Sequence, residues 1–160
     1  NYRGIQNIDK KTPLLYNWFV FSNTIIKRRV LSKTGSFDDA LSGYGGEDTE
    51  LSIRINKKFP KSLRKSCDAI SYHYSDKNLN QYMKNMYDYG LNNFNYIIKK
   101  HPDYKKSLGY DIMTSFRGHI IFNPISTLLC DLGLKFIKHP LLIKFLIINS
   151  FLRGLRFSKK

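Results

Sequence analysis

Cysteine is scarce in this chain: Cys67 and Cys130 lie far apart and belong to no Cys-x-x-Cys or Cys/His pattern. A disulfide framework and a structural zinc site are therefore not indicated, and a reducing, cytosolic setting fits. Long apolar runs are missing too. The most apolar block, Pro140 to Leu152, is interrupted by Lys144 and falls short of the roughly 20 apolar residues of a membrane-spanning helix. There is no internal repeat, no low-complexity tract and no basic-apolar-small order of a signal peptide at the start. No methionine precedes Met83, so the expectation is of a piece of a longer polypeptide. Acidic residues are few, 12 Asp+Glu against 27 Lys+Arg for a formal net charge of +15. That balance favours polyanionic partners: nucleic acid, an anionic membrane face or phosphorylated substrates.

What is present reads as one domain with an appendage, as 160 residues allow. The opening is polar and broken by Pro13, so it reads as loop, and Trp18-Phe19-Val20-Phe21 predicts a short buried strand. Ile25 to Lys33 has helical spacing and stops at Gly35. A glycine loop, Ser42 to Gly46, then opens onto an acidic helix start at Glu47-Asp48-Thr49-Glu50 that leads toward Pro60. Ala69 to Tyr74 alternates as a strand would, with His73 at its edge. Leu79, Met83, Met86, Gly90, Phe94 and Ile97 form a stripe that predicts one helix running to Lys100, stopped by Pro102. Core packing explains this stripe, and Gly90 marks a close helix approach.

From Ile120 the chain is apolar with scattered lysines, broken by Pro124, Gly133 and Pro140. Eight Lys/Arg from Arg117 onward face a single acid, Asp131. On one helical wheel Lys135, Lys138, Arg153, Arg156 and Lys160 share an arc, which predicts a helix lying in a lipid headgroup region rather than spanning it. This mixture suits a membrane surface better than a nucleic-acid groove.

The chemistry-bearing segment is Tyr44-Gly45-Gly46-Glu47-Asp48. Glycines without a Cβ let a bulky polar ligand approach the backbone, and a helix start offers free N–H groups. Neighbouring carboxylates there can bind and deprotonate a hydroxyl. The helix dipole favours their ionised forms and mutual repulsion opposes them, so the balance stays open. Acids in a first helical turn are also ordinary capping residues, and that reading stands beside the chemical one.

The order of this segment resembles the Gly-Gly-Glu-Asp loop of family 2 glycosyltransferases and of the related β-galactosyltransferase C-terminal domain. Its surroundings agree in register. Trp18-Phe19-Val20-Phe21-Ser22-Asn23 resembles a strand ending in Asn, with Phe21-Ser22 where many relatives have two glycines. Ile26-Lys27-Arg28, then Gly35-Ser36-Phe37-Asp38-Asp39, and later His73 follow in the family's order, over about Trp18 to Pro102.

The resemblance implies an α/β chain, the C-terminal, acceptor-side half of a GT-A fold, over residues 1–103, with a mainly helical, basic apolar extension over 104–160. It implies an inverting transfer from a nucleotide-sugar donor to a saccharide or lipid-linked acceptor. Asp48 would be the catalytic base. Glu47, Gly45, Gly46, Trp18 and Asn23 would serve acceptor binding, with Tyr44 as a stacking platform where relatives often carry Trp. His73 resembles a late ligand to the Mn2+ or Mg2+ under the donor diphosphate, although a lone strand histidine is also compatible with plain packing. The ion would act as a Lewis acid on the leaving phosphate. Its Asp-x-Asp ligands are not in this sequence and are expected in a preceding half, without which the fragment would be inactive.

The enzyme expected is a bacterial-type one on the inner face of the plasma membrane, making surface polysaccharide or glycolipid, with no nucleic-acid partner. The alternative is a non-catalytic basic protein, membrane-peripheral or nucleic-acid-binding, whose acidic loop only caps a helix. Salt-dependent, sequence-indifferent binding to DNA or RNA would favour that alternative. A glycoside hydrolase needs carboxylates about 5–10 Å apart across a sugar, which adjacent Glu47 and Asp48 do not offer.

Overall fold

The computed structural model describes residues 8–66, 69–72, 74, 76–137 and 139–158. The chain divides into two compact units, one of Asn1–Asp39 with Glu47–Ser75, the other of Ala40–Gly46 with Asp76–Lys160. A late helix supplies much of the second unit's core, so that unit takes in chain from both sides of residue 103.

In the first unit, α1 spans Arg28–Thr34 and ends where Gly35 takes φ 80°, as its spacing predicts. Helix α2, Glu47–Lys58, opens with Glu47, Asp48 and Glu50 and closes with Lys57 and Lys58, complementing the helix dipole at both ends. Leu51 and Ile53 are fully buried, Phe19 is buried, and the Leu14 N–H donates to the Leu63 carbonyl at 2.9 Å.

The described residues contain no strand, so the α/β expectation is not met. At Trp18 to Phe21 the reason is visible in the backbone. Tyr16–Trp18 and Phe21–Asn23 are 3-10 turns, with Trp18 N–H donating to Leu15 O and Asn23 N–H to Val20 O, so these donors close local turns instead of a ladder. The second expected strand, Ala69 to Tyr74, has no regular structure at its described positions, and Ile70, Tyr72 and Tyr74 are exposed. A strand is held by a neighbour's ladder, and beta-prone residues alone do not supply one.

In the second unit, α3 (Leu79–Leu91) begins with a capping box: Asn78 Oδ1 accepts from Gln81 N–H and Gln81 Oε1 from Asn78 N–H. The stripe expected as one helix is two, because α4 (Asn93–Lys100) is offset at Asn92, whose ψ is −81°. Asn92 and Asn93 carry short amides that compete with helical hydrogen bonding, and Asn93 directs its side chain elsewhere.

The short helices α5 (Tyr110–Met113) and α6 (Phe116–Ile121) lead to α7 (Pro124–Phe136) and α8 (Pro140–Phe157). Proline opens both long helices, where its missing N–H is no loss, and Gly133 sits within α7 rather than ending it. Helix α8 packs on α3 and α7. Phe94, Ile98, Phe151, Leu152 and Leu155 form the core, with the Phe94 and Phe151 rings edge-to-face at 4.9 Å.

Two glycines set the α3–α8 distance. A Cβ on Gly90 would meet the Phe151 carbonyl oxygen and, at 3.0 Å, the Leu155 nitrogen. A Cβ on Gly154 would meet the Tyr87 carbonyl oxygen and, at 2.9 Å, the Leu91 nitrogen. Helix α8 is thus a core helix, not the headgroup helix of the wheel. Lys135 lies on α7 and Arg153 and Arg156 on α8, while Lys138 and Lys160 lie outside the described residues. A single wheel does not describe this stretch because Pro140 starts a separate helix.

Candidate functional site

The boundary between the two units falls inside the glycine-acid motif, between Gly46 and Glu47. Its carboxylates belong to the first unit. Glu47 is exposed on the first turn of α2, and Asp48 is half-buried. The Phe21 N–H donates to Asp48 Oδ2 at 3.2 Å, 27 residues away in sequence.

Phe21 also packs edge-to-face on Phe37, with ring centroids 4.7 Å apart. Glu50, fully buried, pairs with Arg54 through Nε–Oε2 at 2.8 Å and Nη2–Oε2 at 2.7 Å. The same guanidinium donates to Ser36 O at 2.6 Å and to Thr34 O. Three separated segments of the motif set, around Phe21, Phe37 and Asp48, are therefore held together in one unit. Trp18 lies half-buried in the preceding turn. Asn23 is exposed and donates through Nδ2 to Ala69 O at 3.3 Å, which ties it to the segment before His73. His73 itself lies outside the described residues, as does Cys67.

The glycine half of the motif belongs to the second unit. Gly45 O accepts from Asn93 Nδ2 at 2.7 Å, and Asn93 is buried. Gly46 has φ 100°, and a Cβ there would lie 2.8 Å from both Ile97 Cδ1 and Tyr89 Cε2, so only glycine fits in this conformation. The ammonium of Lys77 stands 4.8 Å from the Tyr44 ring centroid, a cation–π contact on the expected stacking residue.

Sequence reasoning missed Arg54, Asn93 and Lys77. Arg54 carried a signal, the Glu50–Arg54 i, i+4 spacing. Asn93 and Lys77 carried none, because their partners are brought to them by the fold. A cavity of about 670 Å³ in the second unit has Tyr87, Phe122, Asn149, Arg153 and Arg156 in its wall, and no predicted site residue lines it. Arg156 there donates to Gly118 O and Phe122 O, and burial lowers its pKa below the usual arginine value.

Among the described residues no three His, Cys, Asp or Glu side chains converge as a metal site would require.

A family model described as glycosyltransferase like family 2 matches residues 11–108. No curated protein and no solved structure matches the chain.

Proposed function

The chain belongs to the family 2 glycosyltransferases, a transferase family with a nucleotide-sugar donor and an acceptor, and from that premise we propose that it carries the acceptor-side half of an inverting transfer. In this reading Asp48 takes the proton of the acceptor hydroxyl as its oxygen attacks the anomeric carbon. The new C–O bond forms as the bond to the diphosphate breaks, and the nucleoside diphosphate leaves with the bonding pair. Glu47 binds the acceptor hydroxyls, Tyr44 stacks on the sugar, and Gly45 and Gly46, whose Cβ sides face Tyr89 and Ile97, contribute backbone to the acceptor-binding loop. Trp18 and Asn23 border the acceptor.

The observation that carries the reading is the Phe21 N–H to Asp48 Oδ2 hydrogen bond. In this reading it positions Asp48 through a backbone donor from the motif that precedes it, as a general base requires. The Phe37 contact and the Arg54 clamp hold the same three segments in place.

Mn2+ or Mg2+ enters the proposal only through His73, together with Asp-x-Asp carboxylates that these 160 residues do not contain. The proton transfer at Asp48 is assigned to the protein's own carboxylate. The proposal also includes a GT-A fold with residues 1–103 as its acceptor-side part, and a saccharide or lipid-linked acceptor in bacterial surface polysaccharide or glycolipid synthesis. It places the enzyme in the cytoplasm, peripheral on the inner face of the plasma membrane.

The test is nucleoside diphosphate release by the full-length protein from a panel of UDP- and GDP-sugars, with and without acceptor saccharides, in Mn2+ or chelator. Acceptor-stimulated, chelator-sensitive release supports the reading. Release that no acceptor stimulates would remove the acceptor assignment, and full activity in chelator would remove the ion.

A further inference from the structure

Helix α7 has its apolar face on the wrong side for a core helix. Ile125, Leu128, Leu129, Leu132 and Phe136 follow the i, i+3, i+4, i+7 spacing that ordinarily marks burial, yet all five are exposed, Ile125 by 71 %, Leu129 by 64 % and Phe136 by 85 %. The less exposed side carries Thr127, Cys130, Gly133 and a single large apolar residue, Leu134: Thr127 Oγ1 accepts from Asn149 Nδ2 of α8, and a Cβ on Gly133 would sit 3.4 Å from Leu142 of α8. The helix is thus oriented by its polar, small face and offers its apolar stripe outward along about 20 Å.

We infer that this stripe is a docking surface for an anionic lipid bilayer, with α7 lying in the plane of the headgroups. Charge selects this occupant. Arg117, Lys135, Lys144 and Arg153 are all exposed in this part of the chain, and the one acid, Asp131, is outnumbered. Lys135 stands at the edge of the α7 stripe, where its stem can lie along apolar surface with the ammonium among phosphates. A second copy of the chain would bring the same net charge of +15 against this one. No helix among the described residues is long and apolar enough to cross a membrane, so a helix lying flat is the arrangement these residues allow.

The inference rests on the membrane-peripheral part of the proposed function and is independent of Asp48. It also replaces α8 as the lipid-facing helix, since α8 supplies the core. Deleting the tail would remove that core, and point substitutions on α7 are the informative change.

The experiment is flotation of the full chain with vesicles of phosphatidylcholine alone or mixed with phosphatidylglycerol. The chain is compared with L128S/L132S/F136S, which alters only exposed side chains. The wild type is expected to bind the anionic vesicles, and the triple variant to bind at least about tenfold more weakly. In a second variant, Leu129→Trp, brominated phospholipid should quench emission beyond that of Trp18. Binding by the triple variant equal to wild type, or no added quenching in Leu129→Trp despite binding, would overturn the α7 surface and leave the peripheral-membrane reading standing. Failure of the wild type to bind anionic vesicles would overturn both and leave the Asp48 chemistry untouched. Concentration-dependent dimerisation that the triple substitution abolishes, without vesicle binding, would make the stripe a self-interface and likewise overturn the inference.

Discussion

The backbone N–H of Phe21 donates to Oδ2 of Asp48, 27 positions further along the sequence. The side chain of Phe21 meanwhile packs on Phe37, so the two contributions of this residue can be separated. Phe21→Ala keeps the N–H and loses the ring; Phe21→Pro loses both. If the N–H positions the base, Phe21→Pro lowers kcat about tenfold further than Phe21→Ala, with acceptor KM little changed between them. Steady-state kinetics on both variants checks this, and equal kcat values would leave the N–H without a positioning role.

Arg54 holds a fully buried carboxylate and two carbonyls at and beyond the end of α1. Arg54→Met is expected to destabilise the folded state by about 3 kcal/mol, since removing one partner of a buried pair leaves a desolvated charge. Arg54→Lys recovers little of this, because an ammonium does not reproduce the planar fork. Urea midpoints at constant m-value read both variants.

Gly90 and Gly154 each face the backbone of the other's helix. Gly90→Ala and Gly154→Ala should each lose about 3 kcal/mol or more, despite alanine's better helix propensity. The double variant should lose less than the sum, because one separation of α3 from α8 relieves both clashes. Thermal or urea unfolding of the three variants decides, and additive losses would contradict a shared crossing point.

Much of the helical unit was legible in the sequence, for identifiable reasons. Pro102 ends the apolar stripe as its position predicts, and Pro124 and Pro140, read only as breaks, turn out to open α7 and α8. Gly90 gave away the close approach, since little else accounts for a glycine in the middle of an apolar stripe. The failures are of other kinds. Trp18 to Phe21 and Ala69 to Tyr74 have strand composition, but a strand depends on a neighbour that composition does not reveal. The stripe on α7 is exposed while Phe151, Leu152 and Leu155 of α8 are buried, a difference set by the tertiary packing of α8 on α3. At the site, the Gly-Gly-Glu-Asp order was readable and the groups holding it, Phe21 N–H and Asn93, were not.

Asn93 donates to the carbonyl of Gly45, within the motif and two residues before Glu47. Asn93→Ala should cost about 1 kcal/mol of stability for the lost hydrogen bond, and raise acceptor KM more than it lowers kcat. The pairing of an unfolding midpoint with a KM-against-kcat split separates a loop-holding role from general destabilisation.

The deciding measurement is turnover of the full-length protein carrying Asp48→Asn, checked to be folded by circular dichroism and compared with Glu47→Gln. With Asp48 as the base, Asp48→Asn lowers kcat by about 10²–10⁴-fold, while Glu47→Gln acts chiefly on acceptor KM. Acceptor-dependent nucleoside diphosphate release at the wild-type rate in folded Asp48→Asn would contradict that assignment and place the base on another residue.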